Sequence, residues 1–110
     1  MAGIERTLFN GDHEIFRDTV RRFVDNEIAP FHAEWEKDGK ISREAWAKAG
    51  ELGLLCASMP EEFGGGGVDR TFSIILMEEL ARAGASGPGF GLHSEIVAPY
   101  INRYGSTGQK

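Results

Sequence analysis

Residues 59–69, MPEEFGGGGVD, place a proline and two carboxylates ahead of four consecutive glycines. The fold turns on whether that run is a linker, a phosphate cradle or a turn inside one domain. A phosphate loop continues G-x-x-x-x-G-K-[ST], so that backbone amides surround the phosphate and a lysine neutralises it; here Gly67 is followed by Val68, Asp69 and Arg70. A dinucleotide fingerprint needs G-x-G-x-x-G between a strand and a helix, and no register beginning at Gly64, Gly65 or Gly66 supplies the third glycine. The flanks therefore decide between turn and linker.

Downstream, Asp69 or Thr71 caps a helix whose main apolar face is Phe72, Ile75, Leu76, Leu80 and Ala83. Ile74, Met77 and Ala81 widen that face, so burial on most sides is expected. Glu79 falls inside the apolar arc between Ile75 and Phe72, whereas Glu78 lies beside Arg82 on the charged side. A carboxylate so placed has to be paired, and the structural reading is a clamp onto backbone amides or an arginine from another segment; the functional one is a ligand contact or an acid/base group.

Upstream, Asp12 is placed to cap a helix with Phe16, Val20, Phe23, Val24 and Ile28 on one face. Pro30 ends or kinks it, and the chain restarts with Phe31 and Trp35 four apart on one face, stopping at Gly39. Ser42 caps a short helix, with Ile41 and Trp46 spaced for a hydrophobic staple and Gly53 available as its left-handed cap. Cys56, between Leu55 and Ala57, reads as a small buried apolar residue rather than a nucleophile.

A second glycine-rich segment, GASGPGFG at 84–91, precedes helical spacing at Leu92, Ile96 and Val97, which Pro99 is expected to interrupt; Tyr100, Ile101 and Tyr104 lead to Gly105. Ser106 or Thr107 stands ready to cap another helix just where the sequence stops, an ending that reads as cut. No alternating run of β-branched residues exceeds a few positions, so the chain is expected to be all-α, one domain over residues 1–110. Both glycine segments lie between strong helices and lack the serine-rich character of linkers. Residues 64–67 are thus read as a tight reversal needing positive φ or close approach of neighbours.

The composition is that of a folded domain, 41% hydrophobic and 26% charged. Seventeen acidic residues against twelve basic give a net charge of −5, which argues against an electrostatic grip on nucleic acid or anionic lipid. One cysteine excludes an internal disulfide and a cysteine-rich metal site. The N-terminus MAGIERTLFNGDHE has no leader pattern and no apolar run reaches spanning length, so a cytoplasmic protein is expected, an organelle matrix form with its leader removed reading the same. His13, His32 and His93 are too scattered for a metal motif and are read as surface or packing residues; His93 and Ser94 lack the nucleophile elbow that would make them catalytic.

The order of segments adds what side-chain chemistry does not. FRDTVRRFVDNEIAP, KAGELGLLCASMPEEFGGGGVD, ILMEELARAGASGPGFGLHSEIVAPYI and YGSTGQK follow one another in a way that resembles the N-terminal helical domain of acyl-CoA dehydrogenases, from about Leu8 to Lys110. GPGFGLHSEIVAPYI is most similar to the long-chain type. The resemblance implies a parent flavoenzyme that uses FAD to convert fatty acyl-CoA to trans-2-enoyl-CoA, pairing proton abstraction with hydride transfer. It also implies an electron-transferring flavoprotein as acceptor and a homotetrameric parent. The family's base lies beyond Lys110, as do its main flavin contacts, so no catalytic, flavin-binding or metal residue is assigned here, and the 110-residue chain alone is expected to be inactive and flavin-free. The positions implied as walls of the acyl pocket are Pro88, Gly89, Leu92 and Ile96, with Gly89 and Gly91 leaving room for a long or bulky chain; otherwise these glycines only shape a turn. The other reading is a stand-alone, non-catalytic helical binding or assembly module that keeps the fold.

Overall fold

The structure, a computed structural model, describes residues 7–110; the first six residues, part of the N-terminal stretch read above for a leader, lie outside them. Among the described residues five α-helices carry the fold: α1 (Gly11–Phe23), α2 (His32–Asp38), α3 (Arg43–Glu51), α4 (Arg70–Arg82) and α5 (Ala98–Tyr104). The described residues contain no β-strand, as the all-α reading requires.

The cap of α1 is Asn10, two residues before the Asp12 expected from the sequence. Asn10 Oδ1 accepts from the amides of Asp12 and His13, and His13 Nδ1 accepts from the Asn10 amide at 3.1 Å, so histidine takes the place that glutamate fills in the usual capping box. Asp12 remains in the first turn, where its charge meets the helix dipole. Asn10→Ala should lower stability by about 1 kcal/mol, read as a shift of the urea midpoint; Asp12→Ala should shift it less.

Two prolines sit behind widened helical turns. Val24–Ile28 is π-helical and passes through a 3₁₀ turn, Ala29–Phe31, into α2; Leu92–Val97 is π-helical and passes directly into α5. Each widened turn closes with an amide reaching five residues back, Ala29 to the Val24 carbonyl and Ala98 to the His93 carbonyl, and proline is the next residue. Proline lacks an amide and crowds the carbonyl four residues earlier, and the wider turn accommodates both defects. Pro99 therefore does not interrupt the last helix as expected: the segment from Leu92 to Tyr104 stays helical. Beyond it, Ser106 and Gln109 close a reciprocal cap, Gln109 Oε1 accepting from the Ser106 amide at 2.8 Å and Ser106 Oγ from the Gln109 amide.

The core lies between α1 and α4, where Val20, Phe23, Val24 and Ile28 meet Ile75, Leu76 and Leu80, with Ala45, Ala49, Leu54 and Phe90 closing it. Trp46 packs edge-on against Phe90 with ring centroids 4.6 Å apart. Asp69 caps α4, and the bonds it receives from the Thr71 hydroxyl and amide hold its carboxyl below the ordinary range. The Thr71 oxygen in turn lies 2.6 Å from Nε2 of the buried His13, tying the start of α4 to that of α1. α4 is less enclosed than its pattern suggested: Ile74 is 41% exposed and Ala81 is exposed, because only one side of the helix meets α1 and the core.

The opening stretch is a turn. Gly65, Gly66, Gly67 and Val68 run back along residues 56–60, their amides donating to the carbonyls of Pro60, Cys56, Met59 and Ala57 at 2.9–3.1 Å. Gly64 and Gly67 have φ of +92° and +67°, and a Cβ at Gly66 would lie 2.7 Å from the Ala57 carbonyl oxygen. Both reasons for glycine operate within four residues.

Candidate functional site: an apolar groove at the 84–92 bend

Glu79, the odd residue of α4, is 2% exposed and answers to three arginines. Arg21 Nε donates to it at 2.7 Å, Arg82 Nε at 3.0 Å and Arg17 Nη1 at 3.1 Å, while Arg17 also reaches Glu78 and Arg82 reaches Asp25. The Arg21 hydrogen bond, opposed by burial and assisted by Arg82, holds the Glu79 carboxyl down at about 2. A carboxylate held ionised and saturated with donors has no appetite for a proton near neutral pH, so Glu79 is the structural clamp of the two readings.

Cys56 differs from expectation. It is half-exposed with φ +54°, because the chain turns there while its amide donates to Ser94 Oγ at 2.9 Å and its carbonyl accepts from Met59 and Gly66. Its Sγ lies 3.9 Å from His93 Nδ1. Ser94 is 1% exposed and holds the turn at Cys56, which leaves its hydroxyl out of reach of a substrate. Among the described residues no group of three or more His, Cys, Asp or Glu side chains converges to hold a metal ion.

The feature that does suit a ligand is a groove of about 500 Å³ between the C-terminal half of α4 and the bend that follows. Met77, Leu80, Ala81 and Gly84 form one side; Pro88, Gly89, Gly91 and Leu92 form the other. Of the four expected wall positions, Pro88, Gly89 and Leu92 line this groove; Ile96, one turn further along, is 63% exposed outside its lining. Met77 and Ala81 were read from the sequence as widening the apolar face of α4 and Gly84 as the start of the glycine-rich segment, none of them as a groove position. Their signal was present in the small residues Ala81 and Gly84 spaced three apart on the helix end facing GPG, but a helical wheel reads small apolar positions as core. The groove lining carries no charged side chain, which fits a hydrocarbon chain and gives no purchase for bond-breaking chemistry.

A family model described as acyl-CoA dehydrogenase, N-terminal domain, matches residues 10–110. The chain is all-helical in its described residues, with a groove against a glycine-rich bend, and it belongs to the acyl-CoA dehydrogenase family. It is 51% identical over 94% of its length to the long-chain specific acyl-CoA dehydrogenase of Sus scrofa mitochondria, and 33% identical to an isovaleryl-CoA dehydrogenase of Oryza sativa subsp. japonica over the same share. The solved acyl-CoA dehydrogenase of Geobacillus kaustophilus superposes with a TM-score of 0.89 at 42% identity, covering 96% of this chain and 28% of that one. The chain spans about a quarter of the curated relatives it matches, 24% of the pig protein and 26% of the rice protein.

The glycine-rich run offers a flavin pyrophosphate no cradle. Its amides already donate to nearby carbonyls, Gly64 to Glu61 and the next four residues to Pro60, Cys56, Met59 and Ala57. Among the described residues no helix is long and apolar enough to cross a membrane.

Proposed function

We propose that residues 1–110 are the N-terminal domain of an FAD-dependent acyl-CoA dehydrogenase that converts fatty acyl-CoA to trans-2-enoyl-CoA, and that this domain supplies one wall of the acyl pocket. The observation that carries the reading is the uncharged groove lined by Met77, Ala81, Pro88, Gly89 and Leu92 in a chain of this family. Pro88, Gly89, Leu92 and, further along the same face, Ile96 are assigned as substrate-binding. The base and the flavin belong to other parts of such a protein, with an electron-transferring flavoprotein as acceptor and a homotetramer as the assembly. Its compartment is the cytosol or an organelle matrix, mitochondria being where the names of the pig and rat relatives put them.

A second feature supports a domain that works against others. Leu92, Ile96, Tyr100 and Tyr104 are each more than 60% exposed along the helical segment 92–104, an exposed apolar strip of the kind that marks an interaction surface. The native protein, detected with an antibody to this domain, is expected to run at several times 12.1 kDa; a 12 kDa species would favour the stand-alone module.

In the complete enzyme, Ala81→Leu and Gly89→Leu should each move the chain-length optimum toward shorter acyl groups, since both residues are exposed in the groove lining and the added carbons take up its volume, the Cβ at Gly89 meeting Trp46 Cζ2 only at an ordinary 3.9 Å. A change of about tenfold in the long-to-short ratio of kcat/KM is expected from one or two methylenes of misfit. Wild-type chain-length dependence in both variants would remove the groove from the acyl pocket.

A further inference from the structure

The bend that forms one side of the groove is anchored at both ends and held at its apex by a residue from elsewhere. At the near end the Ala85 amide donates to the Leu80 carbonyl at 2.9 Å; at the far end Phe90 is fully buried against Trp46. Between them, Gly87 donates its amide to Nε2 of His32 at 2.9 Å, across 55 positions of sequence. Among the described residues this is the one hydrogen bond joining residues 86–88 to another helix. Pro88, the next residue, has no amide to offer.

The fit around that bond is close. A Cβ at Gly87 would lie 3.0 Å from His32 Nε2 and 3.5 Å from Ile41 Cγ2, so the backbone of the bend rests directly on the imidazole. The ring is mostly covered, with 14% of the side chain exposed. Since Nε2 accepts, the ring proton is on Nδ1, which faces Glu36 Oε1 at 3.7 Å one turn along α2. The imidazole is thereby set as an acceptor toward the bend.

We propose that His32 is a positioning residue for substrate selection: its Nε2 straps the Gly87 apex and so fixes the spacing between Pro88–Gly89 and the Met77–Ala81 side of α4, which sets the acyl groups the groove accepts. This rests on the reading of the groove as an acyl-pocket wall. A rigid wall discriminates by length and branching because misfit has to be met by voids or overlap; a wall free to move at its apex relaxes around either. His32 is not among the residues that line the groove, so its effect passes through Gly87.

The test uses the complete enzyme with three replacements. His32→Ala removes ring and acceptor, His32→Leu keeps the bulk without an acceptor, and His32→Gln offers Oε1 near the position of Nε2. Hydrogen–deuterium exchange of the peptide spanning 84–90 reads the strap, and kcat/KM across saturated acyl-CoA substrates of increasing length reads the groove. In the Ala and Leu variants exchange in that peptide alone is expected to quicken and the long-to-short kcat/KM ratio to flatten by about fivefold, the worth of one net hydrogen bond. The Gln variant is expected to stay within about twofold of wild type.

Unchanged exchange in the Ala and Leu variants would overturn the strap. Quickened exchange with an unchanged substrate profile would overturn its role in selection, and a Gln variant shifted as far as Ala would assign the effect to the ring rather than to its acceptor. Absence of acyl-CoA turnover by the wild-type enzyme would instead bring down the acyl-pocket reading, and selection with it, while the exchange result still decides whether His32 holds the bend.

Discussion

Glu79→Gln is expected to destabilise the fold by about 3 kcal/mol, toward the lower end of what breaking a buried ion pair costs, and to do so without a comparable change in any binding affinity. The carboxylate is almost fully buried, but Arg21 and Arg82 keep 49% and 43% of their side chains in solvent, so loss of the charge leaves them partly hydrated rather than stranded. Replacement also uncouples α1 from α4 at its polar edge, because Arg17 and Arg21 are one turn apart on α1 and share Glu79 as a partner. The measurement is the urea denaturation midpoint of both proteins under identical salt.

The same pair of proteins makes a pH prediction. The Glu79 carboxyl sits near 4.5 when unpaired and is held at about 2 in the folded chain, first by the Arg21 hydrogen bond. A group whose folded value is depressed contributes its full stabilisation above the unfolded value and loses it as pH falls toward the folded one. Wild type should therefore shed stability between about pH 4.5 and pH 2, the Gln variant should shed less, and the gap between their midpoints should narrow across that window. A gap that is constant with pH, or a variant as stable as wild type, would remove the charge from the role given to it.

Gly65→Ala should cost a similar amount, about 3 kcal/mol, through overpacking against backbone. An added Cβ would overlap the Met59 carbonyl oxygen, which cannot swing away as a side chain could, because it is already the acceptor for the Gly67 amide. Relief requires moving the return segment off residues 56–60 and giving up several of the five amide bonds that make the turn. On a domain of this size the loss would lower Tm by on the order of 10 °C. Gly11→Ala is the control: nothing lies within 4 Å of its Cβ position, and its expected effect is within about 0.5 kcal/mol. Equal stability of the two variants would mean that the glycine run is a permissive linker after all.

The α1 and α4 faces were legible residue by residue, since Val20, Phe23, Val24 and Ile28 and their partners Ile75, Leu76 and Leu80 recur at helical spacing and bury as that spacing requires. Ser42 as a cap and the pairing of Phe31 with Trp35, ring centroids 5.9 Å apart, were equally local matters. Pro99 was misread because the pattern shows where an amide is missing and not whether a widened turn will absorb the loss. Cys56 was misread because its apolar neighbours say nothing of the hydrogen bond its amide donates to Ser94, 38 positions away, where the chain turns.

The candidate site was legible only in part. Pro88, Gly89 and Leu92 stood out through resemblance to a family, whereas Met77 and Ala81 looked like ordinary core until the bend was seen to face them. His32 looked like a surface histidine in every local respect, its acceptor role depending on where the 84–89 bend returns.

From sequence alone came the helical class, the anomaly of Glu79 and the requirement for glycine at 64–67, all of which rest on spacing and backbone sterics acting over a few residues. Tertiary structure decided the rest: that Arg17 and Arg21 supply the clamp, that α4 and the bend enclose a groove, and that His32 braces it. These are meetings of groups about 55 to 62 positions apart or of elements with no shared period, and a one-dimensional pattern records the chemistry of each partner without recording the encounter.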